Sequence, residues 1–368
     1  MFSPFSFLFA TARPLLALAG LLSLGSCGSS SDPDPNPSVS NVFVVNEGAF
    51  QKSDADITGF SSSAGQVVNA TLFTSANSRA LGDVAQSMTV ANGHGYIVVN
   101  NSNKVEVVSM PDVKSVATIT GLSLPRYFAV SGTKGYVSET VAYSGPGRVS
   151  VIDLTTNTVT KTIPVGLQPE RMLVADGKVY VVNSAANSIS VINTQTDAVE
   201  STITVDNAPN SLVQDANGQI RVLCGGKTVY TPTYEVDYTL TQPGSLVSFA
   251  PSAPTMQTRL TFASNRLRPT DLQTNGDKTQ LYFRAVANSG IGPIFRMGIN
   301  NNSLPDLTAP FIKGAFYGLG IDPNDATIYG GTGTFSGSDK FIRYRSIGTS
   351  IDTFATGSGP NSFVFYQQ

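Results

Sequence analysis

One unit recurs along this chain, and no other feature restricts its possible folds so tightly. The unit is a short apolar strand, a turn of Gly, Asn or Asp, a strand ending in small polar residues, and two further strands. Self-similarity at a period of roughly 40–50 residues marks stacked or ring-forming repeat folds, because one unit cannot bury its own apolar face. The clearest copies are Gly95-Tyr96-Ile97-Val98-Val99-Asn100, Gly135-Tyr136-Val137-Ser138 and Lys178-Val179-Tyr180-Val181-Val182-Asn183. Two of them lead into Val149-Ser150-Val151-Ile152-Asp153 and Ile189-Ser190-Val191-Ile192-Asn193. Thr158-Val159-Thr160-Lys161-Thr162-Ile163 and Ala198-Val199-Glu200-Ser201-Thr202-Ile203 follow in turn. Beyond residue 41, apolar and polar side chains alternate with the period of two that strands require, and helical spacing is scarce.

These blocks resemble the YVTN repeats of the YncE-like β-propellers, and the resemblance covers roughly residues 42–368. It implies an all-β ring of four-stranded blades. It implies no activity, because many functions share this scaffold. Val90, Val130, Val174, Gln214, Gln273, Gly320 and Phe365 fall at equivalent places, at intervals of 40, 44, 40, 59, 47 and 45 residues. The longest interval contains an insertion at 225–244. Seven inner strands follow, and hence a seven-bladed β-propeller. The chain finishes on an inner strand, Ser362-Phe363-Val364-Phe365, and its first strand, Val42-Phe43-Val44-Val45-Asn46, has none before it. Pairing the N-terminal strand with the C-terminal strand would complete one blade and remove an open edge. A packed pair of β-sheets is the alternative architecture.

The N-terminus reads as an address. Residues 1–26 carry Arg13 as their only charge and an apolar run, Leu15–Leu22, of signal-peptide proportions. Leu24-Gly25-Ser26-Cys27 resembles the bacterial lipobox, which implies cleavage before Cys27 and lipidation of it. Gly28 lacks the Asp that retains such proteins at an inner membrane, so the resemblance implies the outer membrane. Residues 27–41, rich in Ser, Asp and Pro, form no element and read as a flexible tether. The propeller domain is then 42–368, held to a membrane only through the lipid anchor.

Charged residues make up 13% of the chain, against about 25% in an average soluble protein. Gly, Ser, Thr and Asn replace them, as suits a fold with many tight turns. A net charge of −2, without clusters of Lys and Arg, argues against a nucleic-acid partner. Of the two cysteines, Cys27 is assigned to lipid, and Cys224 in a strand-like run reads as a buried inert thiol. His94, the one histidine, sits in a turn. One imidazole and one buried thiol build neither a triad nor a zinc site, so no catalytic residue and no cofactor is expected. No Trp is present, so the aromatic motifs of quinoprotein propellers are absent in their usual form. Asp54-Ala55-Asp56 and Asp322-Pro323-Asn324-Asp325 are the nearest carboxylate sets for Ca²⁺, and neither has a known loop spacing.

In such rings the loops leading into the inner strands share a face with the loops after the second strands. That face would gather Asn46, Glu47, Asn101, Arg126, Tyr127, Glu139, Tyr143, Glu170, Arg171, Asn183, Asn210, Tyr234, Arg268 and Arg284 as ligand contacts. Each has a plainer reading. The Asn after Val-Val caps a turn, an X-Pro step holds an extended approach to its strand, and Arg126, Arg171 and Arg268 make ion pairs between blades.

Asn46-Glu47-Gly48, Leu81-Gly82-Asp83, Gln86-Ser87-Met88 and Pro125-Arg126-Tyr127 resemble a Bacteroidetes branch of these propellers. That branch includes cobalamin-capturing lipoproteins that lid a TonB-dependent transporter. The resemblance implies a binding lipoprotein that takes a small molecule or nutrient, a corrinoid among the options, on the top face. An adhesion or assembly scaffold for envelope proteins is the alternative. A Ca²⁺-dependent lactonase or a lyase using Glu47, Glu139 or Glu170 is the second alternative.

Overall fold

The computed structural model describes residues 39–287, 290–335 and 338–367; Cys27, the signal segment and most of the tether lie outside them. Four sheets of four antiparallel strands follow one another in chain order. The first comprises Ala85–Ala91, His94–Val99, Lys104–Ser109 and Lys114–Ile119; the second Pro125–Ser131, Lys134–Glu139, Pro146–Asp153 and Thr158–Leu167. The third comprises Pro169–Ala175, Lys178–Asn183, Ser188–Asn193 and Ala198–Thr204; the fourth Pro209–Gln214, Ile220–Cys224, Ser245–Phe249 and Thr258–Thr261.

The remaining eleven strands are continuous by hydrogen bonding. Arg268–Thr274, Gln280–Val286 and Gly292–Gly298 lead to the ten-residue strand Ile312–Ile321. Its first half pairs with Gly292–Gly298, and its second half with Ile328–Thr332. Asp339–Tyr344 and Ser350–Thr356 extend that second group. Pro360–Phe365 then pairs antiparallel with Val42–Asn46, which continues through Asp56–Ser61 to Gln66–Asn69. The two ends of the described chain thus complete one sheet, as expected from the sequence. Ser40 and Asn41, read as tether, already belong to the fold. Ser40 is buried, and the Asn41 backbone bonds Phe60 and Tyr366 at 3.0 and 2.9 Å.

The first strand of each group packs beside the first strand of the next, from Ala85–Ala91 round to Pro360–Phe365 and back to Ala85–Ala91. Val90, Val130, Val174, Gln214, Gln273, Gly320 and Phe365 all lie in these inner strands. Side chains stitch neighbours together where no backbone ladder runs. Asn361 donates to Ala85 O at 3.0 Å, Thr89 to Phe128 O at 2.7 Å, Asn210 to Pro269 O at 3.0 Å and Gln273 to Leu319 O at 2.5 Å.

The apolar core is divided into wedges between successive groups of strands. One joins Tyr180, Val182 and Val191 to Ile220, Val222 and Phe249; another joins Val42, Val44, Phe60 and Phe363 to Tyr329 and Phe341. Second strands are covered on both faces, which is why Val179-Tyr180-Val181-Val182 reads as an unbroken apolar run. The perimeter strand Ala198–Thr204 is almost wholly exposed. Among the described residues no helix is long and apolar enough to cross a membrane.

Candidate functional site

The inner strands begin in a shared way that fixes the site. Pro125, Pro169, Pro209 and Pro360 each open a strand, a position where no amide proton is needed for the ladder. The residues before them, Leu124, Gln168, Ala208 and Gly359, have φ of 46°, 48°, 54° and 63°. The extended X-Pro approach read from the sequence is therefore wrong at Leu124, Gln168 and Ala208, whereas Arg268 before Pro269 has no positive φ. The left-handed turn aims each carbonyl at the loop leaving the second strand. Leu124 O accepts from Thr140 N, Gln168 O from Ser184 N, Ala208 O from Gly225 N, and Gly359 O from Glu47 N, at 2.8–3.2 Å. The two loop sets share one face, as expected.

A register shift follows in most of these strands, between Pro125 and Phe128, Pro169 and Met172, and Thr270 and Gln273. A bulge interrupts the in-out alternation of side chains. Two consecutive residues can then face the middle of the ring. Arg126 with Tyr127, Glu170 with Arg171, and Thr270 with Asp271 do so around a cavity of about 660 Å³.

The cavity wall is a linked polar network. Arg126 donates from Nε to Glu170 at 2.9 Å and from Nη1 to Gln86 at 2.5 Å. Arg171 pairs with Asp271, and its guanidinium lies 5.0 Å from the centre of the Tyr127 ring. Asp271 also accepts from Arg284 Nε at 3.3 Å, and Arg284 Nη1 reaches Phe316 O at 2.8 Å. Tyr317 donates to Glu47 at 2.5 Å, and Asn361 donates to the same oxygen at 3.3 Å.

Burial sets the electrostatics. Desolvation raises the Glu47 pKa above the ordinary carboxylate value, against the hydrogen bonds from Tyr317 and Asn361. Desolvation, with the Glu47 charge behind it, holds the Tyr317 phenol protonated far beyond the usual range. At Arg126 desolvation works against the cation, but Glu170 and Tyr127 more than offset it and the pKa rises. Away from this wall, Cys224 is fully buried with its thiol pushed up to about 12, as a lone inert thiol would be.

Seven of the fourteen predicted contacts line the cavity: Glu47, Arg126, Tyr127, Glu170, Arg171, Asn210 and Arg284. The others do not. Asn46 is sealed between strands, donating to Thr58 at 2.9 Å and accepting from Thr356 at 2.8 Å. Asn183 is likewise buried and donates to Ser188 and Ser190. Asn101 is tied to the Asp83 carboxylate. Glu139 is fully buried beneath Arg148, at 2.8 Å, and accepts from Ser123 N and Ser150. Tyr143 and Tyr234 stand in solvent, 74% and 89% exposed, and Arg268 lies at the start of its strand outside the cavity. The arginine ion pairs between inner strands occur at Arg126 and Arg171.

The predicted contacts leave out Asp271, Tyr317 and Asn361, and Gln86 too, although Gln86-Ser87-Met88 is among the motifs read from the sequence. Gln86 and Asn361 occupy the place of Arg126 and Glu170 in their strands, so aligning Ala85, Pro125, Pro169 and Pro360 finds them. Asp271 depends on the bulge, and Tyr317 sits inside a strand that no proline opens.

Solved structures share this arrangement at low identity. A quinonprotein alcohol dehydrogenase-like protein from Bacteroides thetaiotaomicron is 13% identical with a TM-score of 0.64, covering 90% of this chain and 79% of its own. The periplasmic gluconolactonase of Pseudomonas aeruginosa is 12% identical with a TM-score of 0.64, covering 90% and 99%. A functionally unknown protein from Desulfotomaculum acetoxidans is 12% identical with a TM-score of 0.65, covering 89% and 99%. At such identities the likeness speaks for the fold alone, which is a β-propeller. No curated protein matches the chain. Residues 40–329 match the family described as a domain of unknown function (DUF5074), and the protein belongs to that family.

Proposed function

We propose that this protein is an envelope-anchored lipoprotein that captures a small molecule at the mouth of a seven-bladed propeller, without catalysing a reaction on it. The count of seven follows if the long strand Ile312–Ile321 serves two blades, outermost in one and innermost in the next. The anchor rests on Leu24-Gly25-Ser26-Cys27.

The observation that carries the reading is the cavity of about 660 Å³, to which every inner strand contributes a side chain. Small-molecule sites occupy about 300–1,000 Å³ and combine apolar lining with a few convergent polar groups. Met88, Phe128, Met172 and Phe363 supply the apolar part here. A corrinoid is one option by resemblance, as is delivery to a TonB-dependent transporter. Purification from native membranes followed by native mass spectrometry tests capture; an adduct lost on Arg171→Gln supports it. Co-elution of a red chromophore after incubation with cobalamin tests the corrinoid version. Turnover of a sugar lactone by the pure protein would overturn the non-catalytic reading. Cys27→Ala should release the protein from the membrane fraction.

A second reading, a scaffold for envelope proteins, is favoured by the exposed Tyr143, Tyr230 and Tyr234 on loops of the cavity's face. Crosslinking from Tyr234 to a defined partner, unaffected by Arg171→Gln, would support it.

A further inference from the structure

Resting on the capture reading, we infer that the ligand carries an oxyanion, a carboxylate or a phosphate, and that Arg126 and Arg171 receive it with Tyr127 between them. The wall holds three guanidiniums and three carboxylates, so net charge alone does not choose a ligand. Their layering does. In the Arg126–Glu170 pair the cation is 27% exposed and the acid 17%; in the Arg171–Asp271 pair the values are 28% and 3%. In these two pairs the carboxylates stand behind and the guanidiniums stand in front. A molecule entering the cavity meets cations whose orientation the acids have already fixed, which lowers the cost of ordering them on binding.

The remaining donors suit an oxyanion. Arg126 engages Glu170 and Gln86 through Nε and Nη1, and no hydrogen bond among the described residues uses its Nη2. The Arg171 bond to Asp271 uses Nη2 alone, and its plane is braced over the Tyr127 ring. A planar guanidinium offers parallel N–H groups that match two oxygens of a carboxylate or phosphate. Arg284 is different: it is 9% exposed and spent on Asp271 and two backbone carbonyls, so it braces the wall. A cationic ligand has less to meet. Glu47 is engaged by Tyr317 and Asn361, Glu170 by Arg126, and no three acidic, His or Cys side chains converge among the described residues.

Isothermal titration calorimetry on the full-length protein in detergent tests this with four probes: inorganic phosphate, citrate, glucose and spermidine. Saturable binding of phosphate or citrate is expected, weakening as sodium chloride rises. Whichever of the two binds names the source of the oxyanion. Arg126→Gln and Arg171→Gln should each lower affinity at least tenfold, and the exposed Arg345→Gln should not. Should either variant fail to fold, Arg171→Lys, which keeps the charge but loses the fork, should still weaken binding severalfold. Silence from both anions, or binding indifferent to Arg126 and Arg171, overturns the inference. If glucose or spermidine then binds in the cavity, capture stands and the oxyanion is wrong; if no probe binds, the oxyanion is wrong, and capture falls only if native mass spectrometry also finds no adduct.

Discussion

The Tyr317 hydroxyl donates to the Glu47 carboxylate over 2.5 Å and across 270 residues of sequence. Tyr317 belongs to the strand Ile312–Ile321, whose two halves pair with Gly292–Gly298 and Ile328–Thr332, and Glu47 directly follows Val42–Asn46, which pairs with Pro360–Phe365. The bond therefore ties the closing sheet to the wall of the cavity, and it does so with an acid that burial disfavours.

That acid gives the stability a specific pH dependence. The folded-state pKa of Glu47 is raised from 4.5, so the folded protein holds this proton more tightly than the unfolded chain. Its contribution is most favourable below 4.5 and is lost as pH climbs through the raised value. Glu47→Gln keeps an acceptor for Tyr317 and removes the titration. The difference in melting temperature, variant minus wild type, should grow above pH 4.5 and then level off, as followed by circular dichroism. A difference that stays constant from pH 4 to 8 would count against a penalised carboxylate.

The two acids behind the guanidiniums should differ in weight. Asp271 is buried and serves both Arg171 and Arg284, whereas Glu170 is partly open. Asp271→Ala leaves two cations without their partner and should cost about 3–5 kcal/mol. Glu170→Ala should cost about 1 kcal/mol. Urea unfolding measures both; equal losses would contradict the layering of the wall.

Gly318 gives the last inner strand room to dock. A Cβ there would stand 2.3 Å from Pro360 O and 2.8 Å from the Asn361 carbonyl carbon. Gly318→Ala should therefore destabilise by about 1–3 kcal/mol, as overpacking does. Gly145→Ala, where a Cβ meets nothing within 4 Å, should be close to neutral. Chemical denaturation of the pair separates a local clash from a general intolerance of substitution.

Cys224 should resist iodoacetamide at pH 8 in the native protein and react once urea exposes it. Its thiol is buried and titrates at about 12, and only the thiolate is a nucleophile. Mass spectrometry of the Cys224 peptide reads the outcome. Rapid native labelling would mean that the strand Ile220–Cys224 opens locally.

The inner strands were legible because period-two alternation and recurrent Pro fix where they begin. The pairing of Val42–Asn46 with the last strand was legible because each end lacked its complement. Half of the site was not, for reasons of register. Glu139 looks like a loop carboxylate in sequence, but the ladder sets it opposite both Pro125 and Arg148, and the arginine covers it. Asp271 faces the cavity only because a bulge displaces it, and a bulge leaves no mark in composition. Tyr317 sits in a strand whose two halves pair with different neighbours, which no single repeat predicts. Asn46 and Asn183 follow Val-Val as a turn cap would, yet each is held by hydroxyls of adjacent strands.

The shared sheet also bears on assembly. Its closing ladder joins Val42–Asn46 to Pro360–Phe365, the strand pairing with the longest intervening chain, and bringing such distant segments together costs more loop entropy than any hairpin does. The four middle sheets, built from strands that are neighbours in sequence, carry no such cost. The ring is therefore hardest to form where it closes.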